Sequence, residues 1–257
     1  MKFIGLVFDY DIKKMSHNIG RKWAPREYKG KEFIFAYSAA SVATVLYHNP
    51  NIEYRIYTDD PSRLKEEISR YNVPTNNLSL VDWKEQLEEY KQHKYPFNCL
   101  LMLLRHNDFF NQEDFIKLDN DLIALKPCDI TLTAKDCVAW KYERRVSEGD
   151  TRWGEILICN TVLGTTNFPI YNMGTLGLSK SNHFIIEESI ELTNKLVDVN
   201  ILPVTDVEAP IYHCAEQTAQ NWNFYKHGLN VIQSYPYFDH HFDSKIKCIN
   251  GATHLLK

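Results

Sequence analysis

At 257 residues, 44% of them hydrophobic and 24% charged, the chain is long enough to bury a substantial core and fits one large α/β domain better than several small ones. A net charge of −4 and the lack of any Lys/Arg block exclude the electrostatic footprint expected of a nucleic-acid binder. Six cysteines lie scattered with no CxxC pair, which argues against a zinc site or a dithiol redox motif and for plain thiols in a reducing compartment.

The first eight residues are apolar but stop at Asp9, too short for a signal segment and far too short to cross a bilayer. No other run reaches spanning length, so a cytoplasmic protein of bacterial or viral type, with no membrane span, is the expectation. Residues 3–8 read as a buried strand, and residues 11–31, basic and holding Gly20, Pro25 and Gly30, as a long loop. A helical stripe runs from Phe33 through Ala36, Ala40 and Ala43 to Leu46 and stops at Asn49-Pro50. Residues 53–58 form the next expected strand, after which Asp59-Asp60-Pro61 caps a helix over residues 62–71. A short strand over 78–81 and helices over 83–92 and 97–110 follow.

A strand bearing the Asp119/Asp121 pair is expected next, with further strands over 136–142 and 156–162 and a charged loop holding Arg144, Arg145, Asp150 and Arg152 before the last. Residues 170–178 read as a glycine-punctuated strand, 181–199 as an amphipathic helix, 206–228 as mostly helical and 229–233 as a strand. The aromatic tail from Tyr235 reads as irregular. Strands alternating with helices imply a mostly parallel sheet covered by helices on both faces. With no repeat or linker, residues 1–257 are read as a single domain.

The most informative motif is Asp119-Asn120-Asp121, at the end of the apolar run Phe115-Ile116-Lys117-Leu118. Residues i and i+2 of an extended chain point to one side, so both carboxylates reach a single divalent cation. Such a hard, oxygen-rich site leaves positions on Mg²⁺ or Mn²⁺ for water and phosphate. The plain alternative for this tripeptide is a polar β-turn.

Four further stations lie in order around that pair. Phe8-Asp9-Tyr10 closes the first strand and Ile56-Tyr57-Thr58-Asp59-Asp60 the second. Tyr171-Asn172-Met173-Gly174-Thr175-Leu176-Gly177-Leu178 and Glu216-Gln217-Thr218-Ala219-Gln220-Asn221 follow it. Together with a C-terminal His254-Leu255-Leu256-Lys257, this series resembles the GT-A nucleotide-sugar glycosyltransferases, most closely the glycogenin-like and galactosyltransferase-like retaining family. The resemblance covers nearly the whole chain and implies a GT-A (Rossmann-like) α/β fold.

It also implies roles. Phe8, Asp9, Tyr10 and Asp59 would flank the base and ribose of a nucleotide-sugar donor, with Asn120 and Gly174 against the donor. Asp119 and Asp121 would be the DxD ligands of Mn²⁺ (or Mg²⁺), joined by His254, while Lys257 grips the diphosphate. Asn172, Glu216 and Gln217 would carry the transfer of a hexose, the donor being UDP-linked and the acceptor hydroxyl unspecified. The family usually writes its C-terminal station as H-x-x-G-x-x-K-P and has Asp where Glu216 stands, so the chain departs from the pattern at both places.

Stereochemistry turns on which group faces the sugar. An inverting enzyme needs a carboxylate base, for which Asp206, Glu208 or Glu216 would serve; a retaining enzyme of the resembled family instead presents an amide or carboxylate to the sugar, and Gln217 falls at that position. Two other readings compete. Leu6-Val7-Phe8-Asp9-Tyr10-Asp11 resembles the nucleophile strand of haloacid-dehalogenase-like phosphatases, in which Asp9 would attack phosphorus and Asp11 protonate the leaving group. A non-catalytic sugar-binding protein with this fold is the third. The cluster Phe238-Asp239-His240-His241-Phe242-Asp243 is read as a lid or acceptor loop, and Trp140, Trp153 and Trp222 as packing residues that could also stack on a sugar.

Overall fold

The computed structural model describes residues 1–8, 32–86, 104–105, 113–148, 155–199 and 215–240. Strand β1 (Lys2–Val7) is followed by helix α1 (Glu32–His48), β2 (Tyr54–Thr58), α2 (Pro61–Ser69) and β3 (Leu78–Asp82). Next come β4 (Phe115–Leu118), β5 (Leu122–Ala124), β6 (Asp136–Ala139) and β7 (Tyr142–Arg145). Helix α3 (Glu155–Leu163), β8 (Pro169–Tyr171), β9 (Thr175–Leu178), α4 (Phe184–Asp198), α5 (Ala215–Lys226), β10 (Asn230–Gln233) and β11 (Phe238–His240) complete the order.

Seven strands form the main sheet in the order β3-β2-β1-β4-β9-β6-β10. Every neighbouring pair is parallel except those made by β9, which runs antiparallel between β4 and β6. Alternation along β1 divides the core in two. Ile4, Leu6 and Phe8 face Ile185, Ile186 and Ile190 of α4 and Phe224 of α5, whereas Phe3 and Val7 face Phe35, Ala39 and Val42 of α1 and Leu64 and Ile68 of α2. Each such large apolar side chain taken from water contributes about 1.5–3 kcal/mol. The sheet is therefore mostly parallel with helices on both faces, as the sequence pattern implies.

Local chemistry fixes several boundaries. Asp60 caps α2, its Oδ1 accepting from Arg63 N at 3.0 Å, with Pro61 in the first turn. Asn49 ends α1 and ties it to the next layer: Nδ2 donates to Val45 O at 3.0 Å and Oδ1 accepts from Cys128 N at 2.8 Å. Gly177 in β9 is required by crowding, because a Cβ there would lie 2.6 Å from the Cβ of Val138.

Four expectations are corrected. Residues 156–162 belong to helix α3 and not to a strand. An apolar run of that length carries no decisive period, and only part of its surface is covered: Ile158 and Cys159 are buried while Leu157 is exposed. The stretch 170–178 is two strands, β8 and β9, in different sheets, interrupted at Asn172-Met173-Gly174. Similarly, residues 136–142 split into β6 and the start of β7, and the charged loop begins as β7 and a 3-10 turn over Val146–Glu148. Finally, Phe238–His240 is a strand, pairing antiparallel with β5; His241 to Asp243 lie outside the described residues.

Most of the expected helices over 83–92 and 97–110, and residues 206–214 of the last helical region, also lie outside the described residues. No helix among the described residues is long and apolar enough to cross a membrane.

Candidate active site

After β3 the chain returns to the other side of β1, so β1 and β4 are neighbours at the point where the winding of the sheet reverses. In open α/β sheets the crevice at the carboxyl ends of strands at such a reversal is where ligands bind. Phe8, Asp59 and Asp119 each stand just past the carboxyl end of β1, β2 and β4 respectively. Phe8 is fully buried in the core, so its ring is a packing group there. Asp9, Tyr10, Asp11, Trp153, Asp206, Glu208, His254 and Lys257 lie outside the described residues.

Asp119, Asn120 and Asp121 form a tight turn and not the extended segment expected from their spacing: Leu122 N donates to Asp119 O at 3.3 Å. The turn is pinned from beneath. Ser41 of α1 donates its hydroxyl to Leu122 O, and Thr44 Oγ1 accepts from Ala124 N at 2.9 Å. Both carboxylates thus sit on a short loop locked between β4, β5 and a helix, partly exposed toward the crevice.

Lys117, unassigned by the sequence motifs, lies directly behind this turn. Its side chain is 9% exposed and its ammonium pairs with Asp119 Oδ1. Burial works to lower its pKa, but the charge and hydrogen bond of Asp119, with Glu216 and Asp121 adding to them, outweigh that and raise it. Glu216, in the first turn of α5, shows the opposite balance: burial drives its carboxyl up to about 8, Lys117 pulls it down and Asp119 pushes it further up. Its Oε1 accepts from Gln220 Nε2 at 3.2 Å. Glu216 is thereby biased toward its protonated form beside the Lys117–Asp119 pair.

The Asn172 and Gln217 stations join this cluster through explicit bonds. Asp119 N donates to Gly174 O at 2.8 Å, so the metal-motif turn and the Asn-Met-Gly break between β8 and β9 are one hydrogen-bonded unit. Asn172 Oδ1 accepts from Gly174 N at 2.8 Å, and its Nδ2 donates to Glu143 Oε1 at 2.9 Å. The other oxygen of Glu143 accepts from Gln217 Nε2 at 3.3 Å.

Asn221 fastens α5 to β8: its amide exchanges two 2.9 Å bonds with the backbone of Tyr171, and Nδ2 also reaches Gln217 O at 2.8 Å. Below it, buried Glu155 of α3 takes Arg144 Nη2 at 2.5 Å and Thr218 Oγ1 at 2.8 Å. Trp140 is buried, donating Nε1 to Phe238 O at 2.9 Å, and Trp222 packs on Phe168.

Lys117, Glu143 and Glu155 are site residues that motif reading missed. Only Lys117 left a trace, as a charge inside an otherwise apolar strand; Glu143 and Glu155 are ordinary charged residues until β7, α3 and α5 meet.

The donor set suits a hard divalent cation, since the turn supplies carboxylate oxygens on a rigid, partly exposed support. Asp119 shares its charge with Lys117, which weakens its claim on a metal without removing it. Among the described residues no group of three or more His, Cys, Asp or Glu is placed to hold a metal ion.

No family model and no curated protein sequence matches the chain. Its fold does match solved structures. The galactosyltransferase LgtC, solved in complex with donor and acceptor sugar analogs, is 12% identical with a TM-score of 0.52, over 91% of this chain and 74% of that one. Mouse xyloside xylosyltransferase 1 in its apo form is 12% identical with a TM-score of 0.53, over 91% and 85%. The bifunctional glycosyltransferase WbbM in its apo form is 11% identical with a TM-score of 0.51, over 91% of this chain and 38% of that one. What is shared at such identities is the architecture. The chain has the GT-A glycosyltransferase fold, and the phosphatase reading built on Asp9 and Asp11 is not favoured by it.

Proposed function

We propose that the chain is a metal-dependent glycosyltransferase moving a hexose from a nucleotide diphosphate sugar, UDP-linked, to an acceptor hydroxyl with retention of configuration. One observation carries the reading. The Asp119 turn, the Asn172-Gly174 break and the Glu216-Gln217 helix start are separated by many residues in sequence, yet are tied together at the carboxyl edge of the sheet. Ligand crevices of open α/β sheets lie at that edge, which supports the reading.

Asp119 and Asp121 would hold Mn²⁺ or Mg²⁺, with His254 as a third ligand, and the ion when bound supplies positive charge against which the nucleoside diphosphate departs. Lys257 is assigned to the same diphosphate, and Asp9, Tyr10 and Asp59 to the base and ribose. Lys117 stiffens the site from behind: an ammonium in the sheet beneath the turn fixes the rotamer of Asp119 before any ligand arrives. Asn172, locked by Gly174, borders the sugar. Retention rather than inversion is supported by Glu216, whose raised pKa makes it a weaker general base, and the Gln217 amide oxygen is assigned as the group offered to the sugar.

The test is nucleoside diphosphate release from a panel of UDP-hexoses with Mn²⁺. Wild type is expected to release UDP from at least one of them, and Asp121→Ala to lower the rate by about 100-fold or more. Equal rates in the two proteins, or release of inorganic phosphate from simple phosphomonoesters in place of UDP, contradict the proposal.

A further inference from the structure

Strand β7 carries an irregularity at a single position. Tyr142 pairs with Tyr171 and Arg144 with Ile170, so two steps along β7 match one step along β8 and Glu143 is the extra residue of a β-bulge. Bulges turn a side chain out of the regular alternation and concentrate beside active sites. The backbone around this one is held on both sides. Tyr142 N donates to Gln233 Oε1 at 2.9 Å, and Arg144 is anchored on the buried Glu155 at 2.5 Å.

Glu143 is aimed at two of the site residues together. Its Oε1 takes the Asn172 amide at 2.9 Å and its Oε2 the Gln217 amide at 3.3 Å. An ionised carboxylate only accepts hydrogen bonds, so each amide has to turn its NH₂ toward it and its oxygen away. Asn172 has a second anchor that enforces the same orientation, Gly174 N on its Oδ1 at 2.8 Å. For Gln217 it is Glu143 that discriminates between two orientations of nearly identical shape.

We infer that Glu143 is a positioning residue: it sorts the Gln217 side chain so that Oε1, and not the NH₂ group, faces the donor sugar. This rests on the glycosyltransferase reading above, in which the Gln217 oxygen is the atom offered to the reacting carbon. A sugar carbon gaining positive charge as the diphosphate leaves is stabilised by an amide oxygen and destabilised by an amide NH₂. Glu143 touches neither the carbon nor the diphosphate in this role; it acts through Gln217.

Steady-state kinetics on wild type, Glu143→Ala, Glu143→Gln, Gln217→Ala and the Glu143→Ala/Gln217→Ala double variant test the assignment, with melting temperature measured alongside. Glu143→Gln is the informative partner, because a glutamine both donates and accepts and so allows either orientation of Gln217. Both Glu143 variants are expected to lose about 10- to 100-fold in kcat. Donor KM should stay within about 2-fold of wild type, since ground-state binding is untouched, and the melting temperature should not move. In the Gln217→Ala background, removing Glu143 should cost almost nothing more, the signature of two residues acting as one unit.

Undiminished kcat, a loss confined to KM, or a full additional loss in the double variant overturns the role of Glu143 while leaving an active glycosyltransferase standing. A wild type that consumes no nucleotide sugar overturns both together.

Discussion

Lys117 sits in a strand whose other three residues are apolar, with its ammonium on Asp119 and the Glu216 carboxyl close enough to feel its charge. A buried lysine without a partner costs several kcal/mol, so its survival in β4 depends on the turn that follows. Burial, opposed by Lys117 and reinforced by Asp119, makes Glu216 a titration reporter. The folded chain keeps a proton on Glu216 between the ordinary carboxylate value of 4.5 and about 8, a window in which the unfolded chain has already lost it. Bound protons are then more numerous in the folded state, and the contribution of Glu216 to stability falls as pH rises through that window and levels off above it. Glu216→Gln is expected to remove this part of the slope, so that the variant gains on wild type as pH rises. Denaturant unfolding across the window measures it, and parallel curves for the two proteins would contradict the assignment. In sequence, Glu216 stood out as a motif position while Lys117 passed as part of an apolar run; their coupling was not legible, because it needs the fold to bring β4 and the start of α5 near each other.

Helix α5 brings its catalytic candidates into place through one side chain. Asn221 holds the backbone of Tyr171 by both ends of its amide, which sets the height of Gln217 one turn earlier and the start of the break at Asn172 one residue later. Asn221→Ala leaves a part-buried strand N–H and C=O without those partners and is expected to lower stability by about 1–3 kcal/mol, read as a shift in the denaturant midpoint; an unchanged midpoint would mean water replaces the clamp without cost. Elements with strong local signals were legible: α2 through its Asp60-Pro61 cap and β1 through its unbroken apolar run. The misread ones share a cause. Whether Glu155–Leu163 is strand or helix, and whether residues 170–178 run straight or break, is decided by partners distant in sequence, Thr218 and Asn221 of α5 among them.

Across the whole molecule, alternating strand and helix signals predicted the parallel sheet with two covered faces, whereas the unbroken apolar run of β1 did not say which side chains serve which face. The reversed direction of β9 was not readable. It follows from the excursion through β7, α3 and β8, which carries the chain past the sheet edge and returns it between β4 and β6. That reversal matters to the site, because it delivers Asn172 and Gly174 to the carboxyl ends of the parallel strands, where the turn of Asp119 already waits. The central claim is that this turn grips a cation that holds the donor diphosphate, and a crystal structure of the chain with Mn²⁺ and UDP tests it most directly. The account predicts manganese coordinated by Asp119 and Asp121 and by diphosphate oxygens, in the crevice between the carboxyl ends of β1 and β4. UDP bound elsewhere, or bound there with both carboxylates turned away from any metal, would contradict it.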